Sequence, residues 1–223
     1  MYDVAKNLHK VLGSLPDGVK LVAISKFHSN EYLEAAYREG QRIFGESQVQ
    51  ELTRKVEMLP KDIEWHFIGH LQTNKVKFIV PYISMIEAVD SFKLMKEINK
   101  HAVKNNRIIK ILLELHIAEE DSKFGFSPNA CRELLESGEW KELRNVQIAG
   151  LMMMASNVDD RHQIKKEMML AANLFDEFKE KYFADDSEFK ERSWGMSHDY
   201  DVAIECCSTM VRVGTTIFGP RVY

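Results

Sequence analysis

The sequence is poor in the features of a secreted, metal-loaded or nucleic-acid-binding protein. Cysteine is scarce, with three in 223 residues: Cys131 and the adjacent pair Cys206–Cys207, which is too strained to bridge readily. Three cysteines make a poor disulfide framework and no CxxC spacing exists, so a reducing, cytoplasmic setting is expected. The eight histidines are scattered, with no HExxH or Cys/His pair at ligand spacing, so no zinc or other metal site is expected. A basic excess is lacking as well. The net charge is −4 at pH 7 and the pI is near 6.1, which gives no electrostatic footprint for nucleic acid. No apolar run approaches the ~20 residues that span a bilayer. Residues 1–13 carry Asp3, Lys6, His9 and Lys10 in place of the apolar stretch of a signal peptide. Neither a repeat nor a low-complexity linker interrupts the chain, so one domain over residues 1–223 is expected.

What is present is a core-forming pattern. An apolar fraction of 45% is ordinary for a soluble globular chain. Short β-branched runs alternate with longer amphipathic stretches. The strand candidates are residues 19–25, 42–44, 63–68, 83–89, 108–115, 146–153, 191–194 and 210–214. Helix candidates lie between them at 30–38, 47–58, 73–80, 91–105, 128–137, 162–181 and 199–206, and an N-terminal helix carries Val4, Leu8, Val11 and Leu12 on one side. Strands each followed by a helix make βαβ units and a parallel sheet. Eight such units close most naturally into a (β/α)8 TIM-type barrel with an extra N-terminal helix. An open doubly wound sheet is the alternative, and the polar segment 188–193 makes strand seven the least regular element.

Barrel chemistry sits at the C-terminal ends of the strands, and phosphate often binds after strands seven and eight. Period-2 alternation sets Lys26 on the side of Val22 and Ile24. Apolar lumen walls would favour its neutral amine, the form that attacks an aldehyde; alone, it also reads as a strand-end lysine reaching solvent. Gly214-Thr215 follows strand eight, where exposed N–H groups can cradle a phosphate. Ser197 precedes the helix expected near Asp199, either as an anion contact or as its N-cap, although Asp199 and Asp201 would oppose an anion there. Arg212 lies inside strand eight and needs a partner if buried, either a barrel carboxylate such as Glu114 or a heteroaromatic nitrogen of a ligand. Met152 and Met154 share a face, as core filler or as a thioether platform for a ring. His66 reads as a satisfied core histidine, and residues 119–123 as a solvated loop.

The motifs Val22-Ala-Ile-Ser-Lys26, Phe44-Gly-Glu46, Trp65-His-Phe-Ile-Gly69, Ser122-Lys123, Gly150-Leu-Met152, Gly195-Met-Ser197 and Ser208-Thr-Met-Val-Arg-Val-Gly-Thr215 stand in one order along nearly the whole chain. Together they resemble the pyridoxal phosphate homeostasis protein family, whose fold is similar to the N-terminal barrel of alanine racemase. The resemblance implies a Schiff base between pyridoxal 5′-phosphate (PLP) and Lys26. It also implies Ser197, Gly214 and Thr215 on the phosphate, Arg212 on the pyridine nitrogen, Met154 on the ring face and Lys123 near the phenolic oxygen. The sequence departs from the family pattern at Ser47, where asparagine is usual, and at Cys207, where glycine is usual.

PLP catalysis normally uses a protonated ring nitrogen as an electron sink, and an arginine there weakens that sink. The racemase draws an opposite-face tyrosine base from a second domain, for which a chain ending at Tyr223 has no room. The expectation is therefore a monomeric, non-catalytic protein that buffers PLP or delivers it to PLP-dependent apoenzymes. The alternatives are a small PLP enzyme, such as a weak amino-acid racemase, and a Schiff-base aldolase on a phosphorylated sugar.

Overall fold

The computed structural model describes residues 3–117 and 124–220. Among these, eight parallel strands close into a barrel in chain order: β1 (Lys20–Ile24), β2 (Ile43–Glu46), β3 (Glu64–Phe67), β4 (Met85–Val89), β5 (Ile109–Leu115), β6 (Val146–Met153), β7 (Glu191–Met196) and β8 (Met210–Val213). Closure rests on β1 pairing with β8, with Val22 opposite Arg212 and Ala23 opposite Val213, so the open doubly wound alternative does not hold. The helices are α1 (Val4–Leu12), α2 (Asn30–Arg38), α3 (Val49–Met58), α4 (Val76–Ile79), α5 (Phe92–Lys104), α6 (Pro128–Ser137), α7 (Arg161–Tyr182), α8 (Tyr200–Glu205) and α9 (Thr215–Phe218).

Alternation along each strand splits the core in two. Outward residues such as Leu21, Ala23, Phe44, Phe67, Ile111 and Leu151 join the helices in one large cluster. Val22, Ile24, Met85, Leu112, Met152 and Met210 fill the lumen, with Met154 and Ile68 packed against it. Lys26 therefore continues the lumen side, as its spacing predicted. In α7, Ile164, Met168, Ala171, Leu174, Phe175 and Phe178 are buried at helical spacing against the barrel. In α1, Val4, Leu8 and Val11 are buried against neighbours that include α9, whereas Leu12, expected on the same side, is exposed.

Three elements differ from the sequence pattern. Strand β2 runs on through Gly45 and Glu46, which pair with His66 and Phe67, so Glu46 is a strand residue and not part of a loop. The stretch 73–80 divides into a 3-10 turn (Thr73–Lys75) and α4. Helix α9 was not expected, because Thr-Thr-Ile-Phe is strand-like in composition. The polarity of β7 also has a structural reason. Glu191 binds Lys20 and Thr209, Arg192 pairs with Asp176, and Ser193 points its hydroxyl into the lumen, so each polar group has a partner.

Among the described residues, no helix is long and apolar enough to cross a membrane. No group of three His, Cys, Asp or Glu gathers as a metal site there.

Candidate functional site

The lumen carries more charge than a packed core normally tolerates, and its arrangement defines the site. Arg212 on β8 is 4% exposed and Glu87 on β4 fully buried. Arg212 donates to the Ser193 carbonyl (2.8 Å), to Ser193 Oγ (2.6 Å) and to the Met153 carbonyl (2.8 Å). Glu87 accepts from Ser193 Oγ at 2.6 Å and meets His66 Nδ1 at 2.7 Å, with Arg212 3.9 Å away. Burial pushes the Glu87 carboxyl up, but His66, Arg212 and Ser193 outweigh it and hold the group below the usual range. Glu87 is thus the carboxylate nearest Arg212, in place of the suggested Glu114. The satisfied core histidine expected at 66 is found.

Glu114 on β5 is a different kind of group. It is buried, its Oε2 has no hydrogen-bond partner, and burial together with the nearby Asp90 carboxylate raises it to about 7. Arg212 offsets this only in part.

Above this layer a cavity of about 280 Å³ opens at the C-terminal ends of the strands. Lys26, Met154, Ser197, Arg212, Gly214 and Thr215 all line it, together with Ile24, His28, Ile68, Asn157, Met196 and His198. Residues from five separate segments thereby converge on one space. Lys26 stands two residues beyond β1 and is half-buried, and Phe27 after it has a φ of 67°, a left-handed conformation that a bulky side chain rarely adopts. Arg212 forms the floor. Its three bonds leave at least two of the five guanidinium N–H groups with no acceptor among the described residues.

The opposite wall is built by Ser197 and Gly214. Ser197 Oγ accepts from the Gly214 N–H at 3.1 Å, which ties the β7 and β8 loops together. Ser197 is not the cap of α8; Asp199 holds that position and accepts from the Met196 N–H at 2.5 Å. Asp201 turns outward to Arg161 at 2.5 Å, so it does not oppose an anion in the cavity. Gly214 allows a close approach to β1: a methyl there would fall 2.9 Å from the Ile24 carbonyl oxygen. Gly195 has a φ of +94° and would press a methyl 2.5 Å from Ala203 Cβ, so both its conformation and its packing need glycine.

Ser47 does not figure among the described lining residues and instead abuts Gly69, whose Cβ position lies 2.6 Å from the Ser47 carbonyl oxygen. Cys207 has a φ of 60°, which explains why glycine suits that position. Lys123 lies outside the described residues.

Residues around the site that motif reading missed include Lys55, Glu51 and Glu87. Lys55 and Glu87 leave a trace in the sequence, because a charge sits where the period calls for an apolar residue, whereas Glu51 lies off the buried face of α3 and leaves none. Lys55 follows Val49 and Leu52 on the inward face of α3, and Glu87 interrupts the wholly buried β4. Lys55 Nζ meets Glu46 Oε1 at 2.7 Å, Glu51 Oε1 at 2.7 Å and the Ser25 carbonyl at 2.8 Å. Burial raises the Glu46 carboxyl against the pull of Lys55.

Comparison with known proteins places the chain in a family and a fold. The family model for the N-terminal domain of alanine racemase matches residues 2–222. A pyridoxal phosphate homeostasis protein of Aquifex aeolicus is 38% identical over 205 residues, covering 92% of this chain and 88% of that one. Its human counterpart is 36% identical over 214 residues, covering 92% and 77%. The structure of PipY from Synechococcus elongatus without PLP superposes with a TM-score of 0.90 at 33% identity, covering 97% of this chain and all of that one. The PLP-bound form of PipY gives 0.87 at 32% identity, covering 97% of this chain and 100% of that chain. A Clostridium difficile alanine racemase at 14% identity and TM-score 0.79 covers 98% of this chain and 56% of its own, and shares the fold alone.

Proposed function

The chain belongs to the alanine racemase N-terminal domain family, and from that premise we propose that it binds pyridoxal 5′-phosphate and serves intracellular PLP homeostasis as a reversible, non-catalytic carrier. One observation carries the reading: a lysine, an arginine with spare donors, and a Ser–Gly cradle line a single cavity. The donor set fits the molecule. PLP presents an aldehyde, a ring nitrogen that accepts, and a phosphate dianion. The wall offers an amine, a guanidinium, and hydroxyl and N–H groups, with no carboxylate among the described lining residues.

When bound, PLP supplies an aldehyde that a primary amine captures reversibly as a Schiff base. The chain's own residues do the rest. Lys26 provides the amine at the end of β1. Ser197, Gly214 and Thr215 receive the phosphate, and Met154 covers the ring. Arg212 donates to the ring nitrogen and, fixed by Ser193 and Met153, cannot yield a proton to it. That assignment supports a carrier over an enzyme, because the ring is kept from acting as a strong electron sink.

We take the carrier to work as a cytoplasmic monomer that hands PLP to apoenzymes. Two assays test this. Mixed with a PLP-free aminotransferase, the loaded chain should restore the acceptor's activity, and a chain that never gives up its PLP would refute delivery. Long incubation of the loaded chain with L- and D-alanine, followed by chiral chromatography, should show no interconversion; steady turnover would make it a racemase.

A further inference from the structure

The most elaborate buried polar cluster outside the cavity is the one around Lys55, and its connections lead back to Lys26. Lys55 Nζ donates to the Ser25 carbonyl at 2.8 Å, and Glu51 Oε1 accepts from the Phe27 N–H at 2.8 Å. Lys55 and Glu51 meet at 2.7 Å. The ring is therefore closed: the peptide carbonyl before Lys26, the Lys55 ammonium, the Glu51 carboxylate and the peptide N–H after Lys26. Glu46 braces it, accepting from Ser25 Oγ at 2.6 Å and from Lys55 at 2.7 Å. Both peptide planes that flank Lys26 are thus held by one ion network, which fixes its backbone torsions and the direction of its Cα–Cβ bond. Holding α3 against β2 would need only the Lys55–Glu46 pair. It would not need bonds to the main chain on both sides of residue 26, nor would it account for the left-handed Phe27.

We infer that Lys55, with Glu51 and Glu46, is a positioning clamp that aims the Lys26 amine at the carbonyl carbon of the aldehyde ligand. None of the three lines the cavity, so they act through the main chain of residues 25–27 and not by contact with the ligand. This inference rests on the proposed role of Lys26 and adds to it the means by which the amine is preorganised.

The test separates aiming from general support by using two ligands. Pyridoxal 5′-phosphate needs the Lys26 amine; pyridoxine 5′-phosphate has the same ring and phosphate but an alcohol in place of the aldehyde. Equilibrium binding of both is measured on the unliganded full chain and on Lys55→Met and Glu51→Ala. The clamp predicts that the aldehyde ligand is weakened roughly tenfold or more in each variant, because a misaimed amine loses part of the effective molarity that its fixed geometry supplies. The alcohol ligand should change by less than about twofold. Equal losses for both ligands would mean that the cluster merely supports the fold, and no loss for either would mean that Lys26 needs no clamp; both outcomes overturn the inference. Should Lys55→Met not fold, the decision passes to Glu51→Ala, which removes a partly exposed side chain. If the parent chain binds neither ligand, the proposed function fails before the clamp is in question.

Discussion

Replacing Arg212 with methionine tests whether the lumen is built around a compensated charge. The variant keeps most of the side-chain volume but deletes the cation 3.9 Å from Glu87, and it removes the donor to the Ser193 and Met153 carbonyls. Glu87 is fully buried, so its carboxylate is left without the cation that compensates it. Breaking a buried pair by removing one partner costs about 3–5 kcal/mol. In a chain of this length each kcal/mol lowers Tm by about 2–4 °C, so a fall of roughly 6–20 °C is expected. Urea unfolding followed by the fluorescence of the fully buried Trp194 measures the loss directly. Adding Glu87→Gln should recover a substantial part, because removing both charges of this pair leaves neither one uncompensated. The acid limb gives a second readout. Glu87 is held below its ordinary range, so its contribution is present above about pH 4.5 and is lost as pH falls through the depressed folded value. That loss should shrink in Arg212→Met. A destabilisation under about 1 kcal/mol, or a double variant no better than the single, would refute the reasoning.

Glu114 predicts the opposite pH response. Its folded value is raised to about 7 against 4.5, so the native state holds the proton longer and stability falls as pH rises between those values, by about 3 kcal/mol in all. Glu114→Gln should abolish that fall in urea titrations at pH 5, 6, 7 and 8; an unchanged slope would contradict it. Cys207→Gly should stabilise the chain by about 1 kcal/mol, since Cys207 is exposed and its φ of 60° suits glycine; a lower Tm would show that the thiol makes a contact of value.

The barrel was legible because its signals are local and repeated. Strand–helix alternation is set by residue spacing, and the spacing that put Lys26 with Val22 and Ile24 describes the lumen as found. The six residues expected to meet the cofactor were legible as motifs, and their place around one cavity follows from the barrel rule that βα loops share one face. Partners across the barrel were not legible. Glu87 and Ser193 are 106 residues apart and share one hydrogen bond, while Lys55 reaches Glu46 and Ser25 from a helix that pattern reading treats as amphipathic. Such pairs depend on register between strands, which the period of any single segment does not encode. Helix α9 and the cap of α8 were missed for a related reason, since tertiary packing overrode the strand preference of Thr215–Phe218 and Asp199 took the role open to Ser197.

The proposed function stands on Lys26 as the residue that holds PLP. Loading the purified chain with PLP, reducing it with borohydride and mapping the tryptic peptides by mass spectrometry identifies the lysine that carries it. A visible absorbance band that bleaches on reduction and a stable pyridoxyl adduct on Lys26 are expected, with neither in Lys26→Ala. A chain that stays colourless after reconstitution, or an adduct on another lysine with Lys26 unmodified, would contradict that role for Lys26.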